Sequence, residues 1–205
     1  MKYEWRKSEK SIYLPGREPA TIVIPKYNFV TIEGEGDPNG HDFSERVEAL
    51  YSISYAIRMM PKKGKTPEGY FDYTVYPLEG LWDLSEAGRE KDRLDKSELI
   101  YKIMIRQPGF VTEEVFNIAM EFASKKVSPK LLDGLKMERI EDGLSVQMMH
   151  FGSYDDEKKS FDLMKNYIAD NGLKLKTMVH REIYLSDPRK SEPDKLKTVL
   201  RYMVE

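Results

Sequence analysis

NFVTIEGEG, Asn28 to Gly36, and GLSVQMMHFG, Gly143 to Gly152, can be laid on one another without a gap, so that Val146 falls on Val30 and Gly152 on Gly36. Each is a β-rich run ending in glycine, and each leads into a helical stretch. After the first, Asp42 stands where an N-cap belongs with Glu45 three residues on, and Phe43, Val47, Leu50, Ser54 and Ile57 share one helical face. Pro61 and the Lys-Lys-Gly-Lys that follows end this helix. After the second, Ser153, Asp155 and Asp156 open a helix with Phe161, Met164, Tyr167 and Ile168 as its apolar stripe. Asn171-Gly172 closes it, with residues able to take a positive φ.

Two more β-like runs follow each helix. In the first half they are YFDYTVYPLEGLW, residues 70–82, and SELIYKIMIRQPG, residues 97–109, which read as a hairpin with a long charged loop. In the second half they are KLKTMVHREIYLSDP and DKLKTVLRYMVE. Between the halves, TEEVFNIAMEFASKK and SPKLLDGLK read as connecting helices, the first capped by Thr112 with Val115, Ile118, Ala119 and Phe122 buried. The order predicts an α+β protein with an antiparallel sheet and helices packed on it. It is expected to be one domain over residues 1–205, with two pseudo-symmetric strand-helix-strand-strand repeats spanning 26–109 and 137–205 and joined by helices within 110–136.

Composition excludes several function classes. A chain of 205 residues with 40% hydrophobic content has enough apolar material for a sizeable core. Its net charge of -2 is spread along the chain without a basic block, so no nucleic-acid partner is expected. There is no cysteine, and the three histidines, His41, His150 and His180, are far apart, so neither a metal nor another cofactor is expected. The N-terminus has charge where a signal peptide would have an apolar stretch, and no run is long enough to span a membrane; the expected location is cytoplasmic. Gly34, Gly36 and Gly40 lack the order of a dinucleotide fingerprint.

The stretches KYNFVTIEGEGDPN, EALYSISYAIRMMPK, YTVYPLEGLW, MIRQPGFVT and HREIYLSDPRK resemble the GyrI-like small-molecule-binding family, in particular its stand-alone bacterial members. The resemblance implies a two-fold pseudo-symmetric fold with a ligand groove, and a bulky aromatic or cationic compound as partner. In the wider family the domain senses drugs within transcription regulators, and a stand-alone subfamily is similar to hydrolases that open the cyclopropane ring of DNA-alkylating natural products in an aromatic cage. No helix-turn-helix segment is read in this chain, which speaks against a regulator. The alternative the resemblance offers is a protein-interaction module, such as an inhibitor of DNA gyrase.

In HREIYLSDPRK, His180 to Lys190, strand alternation puts His180, Glu182 and Tyr184 on one face and Val179, Ile183 and Leu185, with Arg181 between them, on the other. On a water-facing surface Glu182 would be an ordinary solvated residue. The resemblance instead implies that Glu182 is the central glutamate of the groove. A carboxylate among aromatic rings loses hydration, holds a cation more strongly and accepts a proton more readily. Glu182 is therefore the catalytic candidate, with counter-ion and general base both open as its role. Trp82 is the second candidate, as a flat surface for stacking on a ligand. Tyr184, Tyr73, Tyr51, Phe151 and Met149 are further ligand-binding candidates.

Overall fold

A computed structural model of the chain describes residues 2–187 and 190–205, so the Pro188-Arg189 part of the HREIYLSDPRK stretch lies outside the described residues. The strands are β1 (Ala20–Ile24), β2 (Tyr27–Glu35), β3 (Leu78–Leu84), β4 (Leu99–Gln107), β5 (Lys136–Ile140), β6 (Gly143–Phe151), β7 (Leu175–Tyr184) and β8 (Lys197–Val204). The longer helices are α1 (His41–Arg58), α2 (Glu113–Ala123) and α3 (Glu157–Asp170). The class is α+β with antiparallel pairing, as the element order predicts. Among the described residues no helix is long and apolar enough to cross a membrane.

The chain divides into two compact units. The first is built mainly of Tyr27–Leu78 and Leu84–Ile140. In it β2 pairs with β4 on one side, Val30 opposite Ile105, and with β5 on the other, Phe29 opposite Glu138. α1 packs on β2 and β4 with Leu50, Ile53 and Ile57 fully buried, and α2 packs on α1. Ser54, on the same helical face, is satisfied inside the core: it donates to the Leu50 carbonyl and accepts from Gln107 Nε2 at 3.0 Å.

Three expectations for this unit change. Asp42 does not cap α1; the N-cap is Gly40, and Asp42 pairs with Arg46 one turn on. The 70–82 run is strand only from Leu78 onward. Tyr76 precedes Pro77, which lacks a donor and biases the residue before it, so a ladder forms only after the proline. Lys136–Ile140, outside every expected strand of this half, becomes β5 by pairing along β2. Thr112 caps α2 as expected, accepting from the Val115 amide.

The second unit comprises Trp5–Lys26, Glu79–Asp83 and Glu141–Glu205, with strand order β1-β6-β8-β7-β3. α3 covers one face of this sheet; Met164 and Ile168 pack on Val146, Met148, Leu200, Tyr202 and Val204, with Phe161 and Tyr167 at the margin. The helix stops at Asn171-Gly172, with Gly172 at φ +67°. N-terminal residues, for which the sequence offered no role, engage the sheet: β1 pairs with β6, Gln147 Nε2 donates to the Ser11 carbonyl, and the Met149 amide donates to the Gly16 carbonyl.

Candidate functional site

The site grows from β7. Its register with β8 shifts between Leu175 and His180, an irregularity after which alternation is strict. Arg181 and Ile183 are buried on one face, and His180, Glu182 and Tyr184 point to the other. The β3 register sets Gly80 opposite Glu182 and Trp82 opposite His180. With no side chain at position 80, the Trp82 indole lies back over the glycine; a Cβ there would come within 2.5 Å of Trp82 Nε1.

From that position Trp82 Nε1 donates to the Tyr184 hydroxyl at 2.8 Å, and Tyr184 donates to Glu182 Oε2 at 2.8 Å. The direction of this chain is fixed, because an indole can only donate and the phenol proton is then left for the carboxylate. His180 Nε2 lies 3.0 Å from Glu182 Oε1, an oxygen that can only accept from it while ionised. The Glu182 side chain is 12% exposed. It has been withdrawn from water and each of its oxygens faces a donor.

Glu157, the first residue of α3, is buried and its Oε1 has no hydrogen-bond partner. It lies between Tyr154, whose ring meets Tyr184, and Phe161, whose ring meets His180, so its side of the helix is turned toward the strand face that carries Glu182. Burial first, and then the Glu182 charge, push the Glu157 carboxyl up to about 10. The helix N-terminus favours the anion by only about 0.3–1 kcal/mol, too little to offset both effects. Tyr154, one turn earlier, sets its ring edge-on to Tyr184 at 5.8 Å, and no described residue engages its hydroxyl. Burial, followed by Glu157, Glu182 and Asp187, pushes this phenol up to about 12. Tyr184 is displaced upward for the same first reason, burial, reinforced by both carboxyls. Phe161 lies edge-on to His180 at 4.6 Å.

The structure thus brings Glu182, Trp82 and Tyr184 together, and within the second unit it sets Met149 and Phe151 apart from them. Met149 aligns with Val199 and Ile183 across the ladders, whereas Glu182 aligns with Leu200 and Met148. Met149 therefore sits on the sheet face opposite Glu182, and Phe151, two residues on, shares that face. The Phe151 ring is covered by the Arg17 guanidinium at 4.1 Å, with Lys197 Nζ at 5.6 Å. Tyr51 and Tyr73 belong to the first unit: Tyr51 lies 6.3 Å from Tyr55, and Tyr73 is buried against Phe71 and Phe110. Sequence reasoning missed Glu157 and Tyr154. A usable signal existed, since Glu157, Phe161, Met164 and Ile168 form one helical stripe, on which a glutamate is out of place.

On the other face of β7 a buried charge network fixes the strand. Arg181 and Arg201 stand directly opposite one another in the β7–β8 ladder, a repulsive arrangement on its own. Asp142 bridges them, accepting from Arg181 Nε at 2.8 Å, Arg181 Nη2 at 2.6 Å and Arg201 Nη1 at 3.0 Å. Glu79 takes Arg181 Nη1 at 2.9 Å, and Gln147 Oε1 takes Arg201 Nη2 at 2.8 Å. The backbone carrying Glu182 is thereby anchored next door, at position 181.

A small substitution tests this geometry. Gly80→Ala is expected to destabilise, although alanine normally favours a strand over glycine by about 0.5–1 kcal/mol. The new methyl drives the indole off Tyr184. The expected result is a lowered denaturation midpoint with a shifted tryptophan emission; a stabilised variant with unchanged emission counts against the packing described.

The chain belongs to the GyrI-like family: the family model, a GyrI-like small molecule binding domain, matches residues 17–204. Solved structures similar over 100% of both chains include a hydrolase from Listeria innocua, 38% identical with a TM-score of 0.89, and a second Listeria innocua hydrolase, 39% identical with a TM-score of 0.91. The C-terminal domain of EcmrR shares the fold at 16% identity, with a TM-score of 0.51 over 92% of this chain and 97% of that one. No functionally curated protein matches the chain.

Proposed function

We propose that the protein binds bulky aromatic or cationic xenobiotics at the Glu182 cluster and hydrolyses those that carry a strained, electrophilic cyclopropane ring. The observation that carries this reading is a carboxylate withdrawn from water in a cluster with Trp82, Tyr184 and Tyr154, rings that we read as the walls of an aromatic cage. Such a carboxylate attracts a cation more strongly than a surface glutamate does, and the ring faces add a cation–π contribution. Full-length similarity to hydrolases at close to two-fifths identity supports the enzymatic part.

In the reaction, water attacks a methylene carbon of the ring while Glu182 takes one of its protons. The ring C–C bond breaks, and its electron pair passes into a carbonyl conjugated with the ring, whose oxygen then receives that proton. Tyr184 cannot polarise this oxygen, because its only proton is given to Glu182. We assign this role to Tyr154, whose hydroxyl no described residue engages.

The test uses the unmodified protein with a cyclopropane-bearing alkylator, following the ring-opened product by chromatography. Turnover above the background rate is expected; its absence removes the enzymatic part. Flat cationic dyes are expected to quench tryptophan emission, with the quenching lost in Trp82→Phe and kept in Trp5→Phe. Equal quenching in both variants removes the placement at Trp82.

A further inference from the structure

We propose that Glu157 and Glu182 hold one proton between them, carried by Glu157, so that the carboxyl pair meets its ligand with a single negative charge and favours monocations or neutral electrophiles over dications. The bearing on ligand choice rests on the binding proposed above; the proton count stands on geometry. Tyr154 and Phe161, on either side of Glu157, meet Tyr184 and His180, on either side of Glu182, so the two carboxyls are set against each other out of water and cannot both ionise at low cost. The donors decide which one keeps the proton. Glu182 receives His180 Nε2 and the Tyr184 hydroxyl, the latter locked in direction by Trp82. Glu157 is the more buried of the two, and its Oε1 has no donor.

The remaining groups around the pair act in the same sense. Asp155 precedes Glu157 at the helix start, and its charge raises the Glu157 carboxyl further. Asp187 adds negative potential from the segment after β7, acting on Tyr154. From β3 the cluster receives the neutral Trp82, and from β7 His180 and Tyr184. The nearby Lys158 and Lys159 are paired outward, with Asp162 and Asp156, on exposed side chains. The upward displacement of the Glu157 carboxyl agrees with this assignment. Glu157 is a positioning residue: it holds and neutralises one side of the carboxylate that faces the ligand.

Infrared spectroscopy of the whole protein at pH 7 is expected to show the carbonyl stretch of a protonated carboxyl that disappears in Glu157→Gln and persists in Glu182→Gln. No such band in the parent, or one that survives Glu157→Gln, overturns the proposal. With tetraphenylphosphonium as a monocation probe, Glu157→Leu is expected to weaken binding about tenfold by removing a donor to Glu182. Glu157→Gln, a neutral donor of the same shape, recovers most of it; a glutamine variant as weak as the leucine variant also overturns the assignment. If the parent does not bind the probe, the ligand class proposed above fails, and the infrared result still decides the proton count.

Discussion

Asp142→Ala is expected to destabilise the second unit by about 3–5 kcal/mol, the range for removing one partner from a buried ion network. Asp142 separates Arg181 and Arg201, which face each other across the β7–β8 ladder and are buried to 2% and 3% exposure. Without the carboxylate, Arg181 keeps Glu79 and Arg201 keeps Gln147, but two guanidinium groups then confront each other out of water. Urea denaturation of Asp142→Ala, of Arg201→Met and of the pair gives the check. The double variant is expected to be less destabilised than the sum of the singles, since it removes the orphaned cation together with its anion. Additive losses, or an Asp142→Ala cost below about 1 kcal/mol, contradict the bridging role. Acid gives a second route to the same group. The Asp142 carboxyl loses solvation by burial, yet Arg181 and Arg201 hold it below its ordinary 3.8. A carboxyl lowered on folding contributes stability above its unfolded pKa and loses it as pH falls through the folded value. The stability curve of the parent should therefore drop below pH 3.8 more steeply than that of Asp142→Ala.

How much of this could be read from the chain differs between the two faces of β7. Alternation along HREIYLSDP sorted His180, Glu182 and Tyr184 from Ile183 correctly, because a strand has a fixed period of two. Arg181, placed among apolar neighbours on the buried face, was visible as an anomaly, yet its partners were not: Glu79, Asp142 and Arg201 come from three other segments, and only the strand register brings them together. Met149 illustrates the same limit in reverse. A pair of methionines at a strand end is equally apolar at either position; the β6–β8–β7 ladders decide that Met148 shares the Glu182 face and Met149 does not. The helix after Gly152 was legible, as were its stripe and its Asn-Gly stop, whereas neither Ser153 nor Asp156 caps its start through a side-chain hydrogen bond. The acidic opening was read as capping alone, which hid Glu157, and the strand expected over 70–77 was defeated by a single proline whose effect outweighs the β-propensity of its aromatic neighbours.

Glu182→Gln is expected to lower turnover of a cyclopropane-bearing substrate by about 10²–10⁴-fold, the contribution of a positioned general base. The amide keeps the side chain's shape and one acceptor, but it cannot take a proton from water, and its NH₂ turns a donor toward either His180 Nε2 or the Tyr184 hydroxyl, both of which are donors now. Tyr184→Phe should have a smaller effect, about tenfold, because it removes one hydrogen bond to Glu182 and frees the Trp82 indole without touching the base itself. The ratio between the two variants distinguishes the roles left open for Glu182. A general base loses kcat in Glu182→Gln while a neutral substrate keeps its affinity; a counter-ion loses affinity for cations and leaves the turnover of neutral substrates in place. Steady-state kinetics with a neutral alkylator, set beside equilibrium binding of a monocation to the same variant, measures both. A Glu182→Gln protein that retains full kcat assigns the base to another group, and the buried carboxylate is then a counter-ion alone.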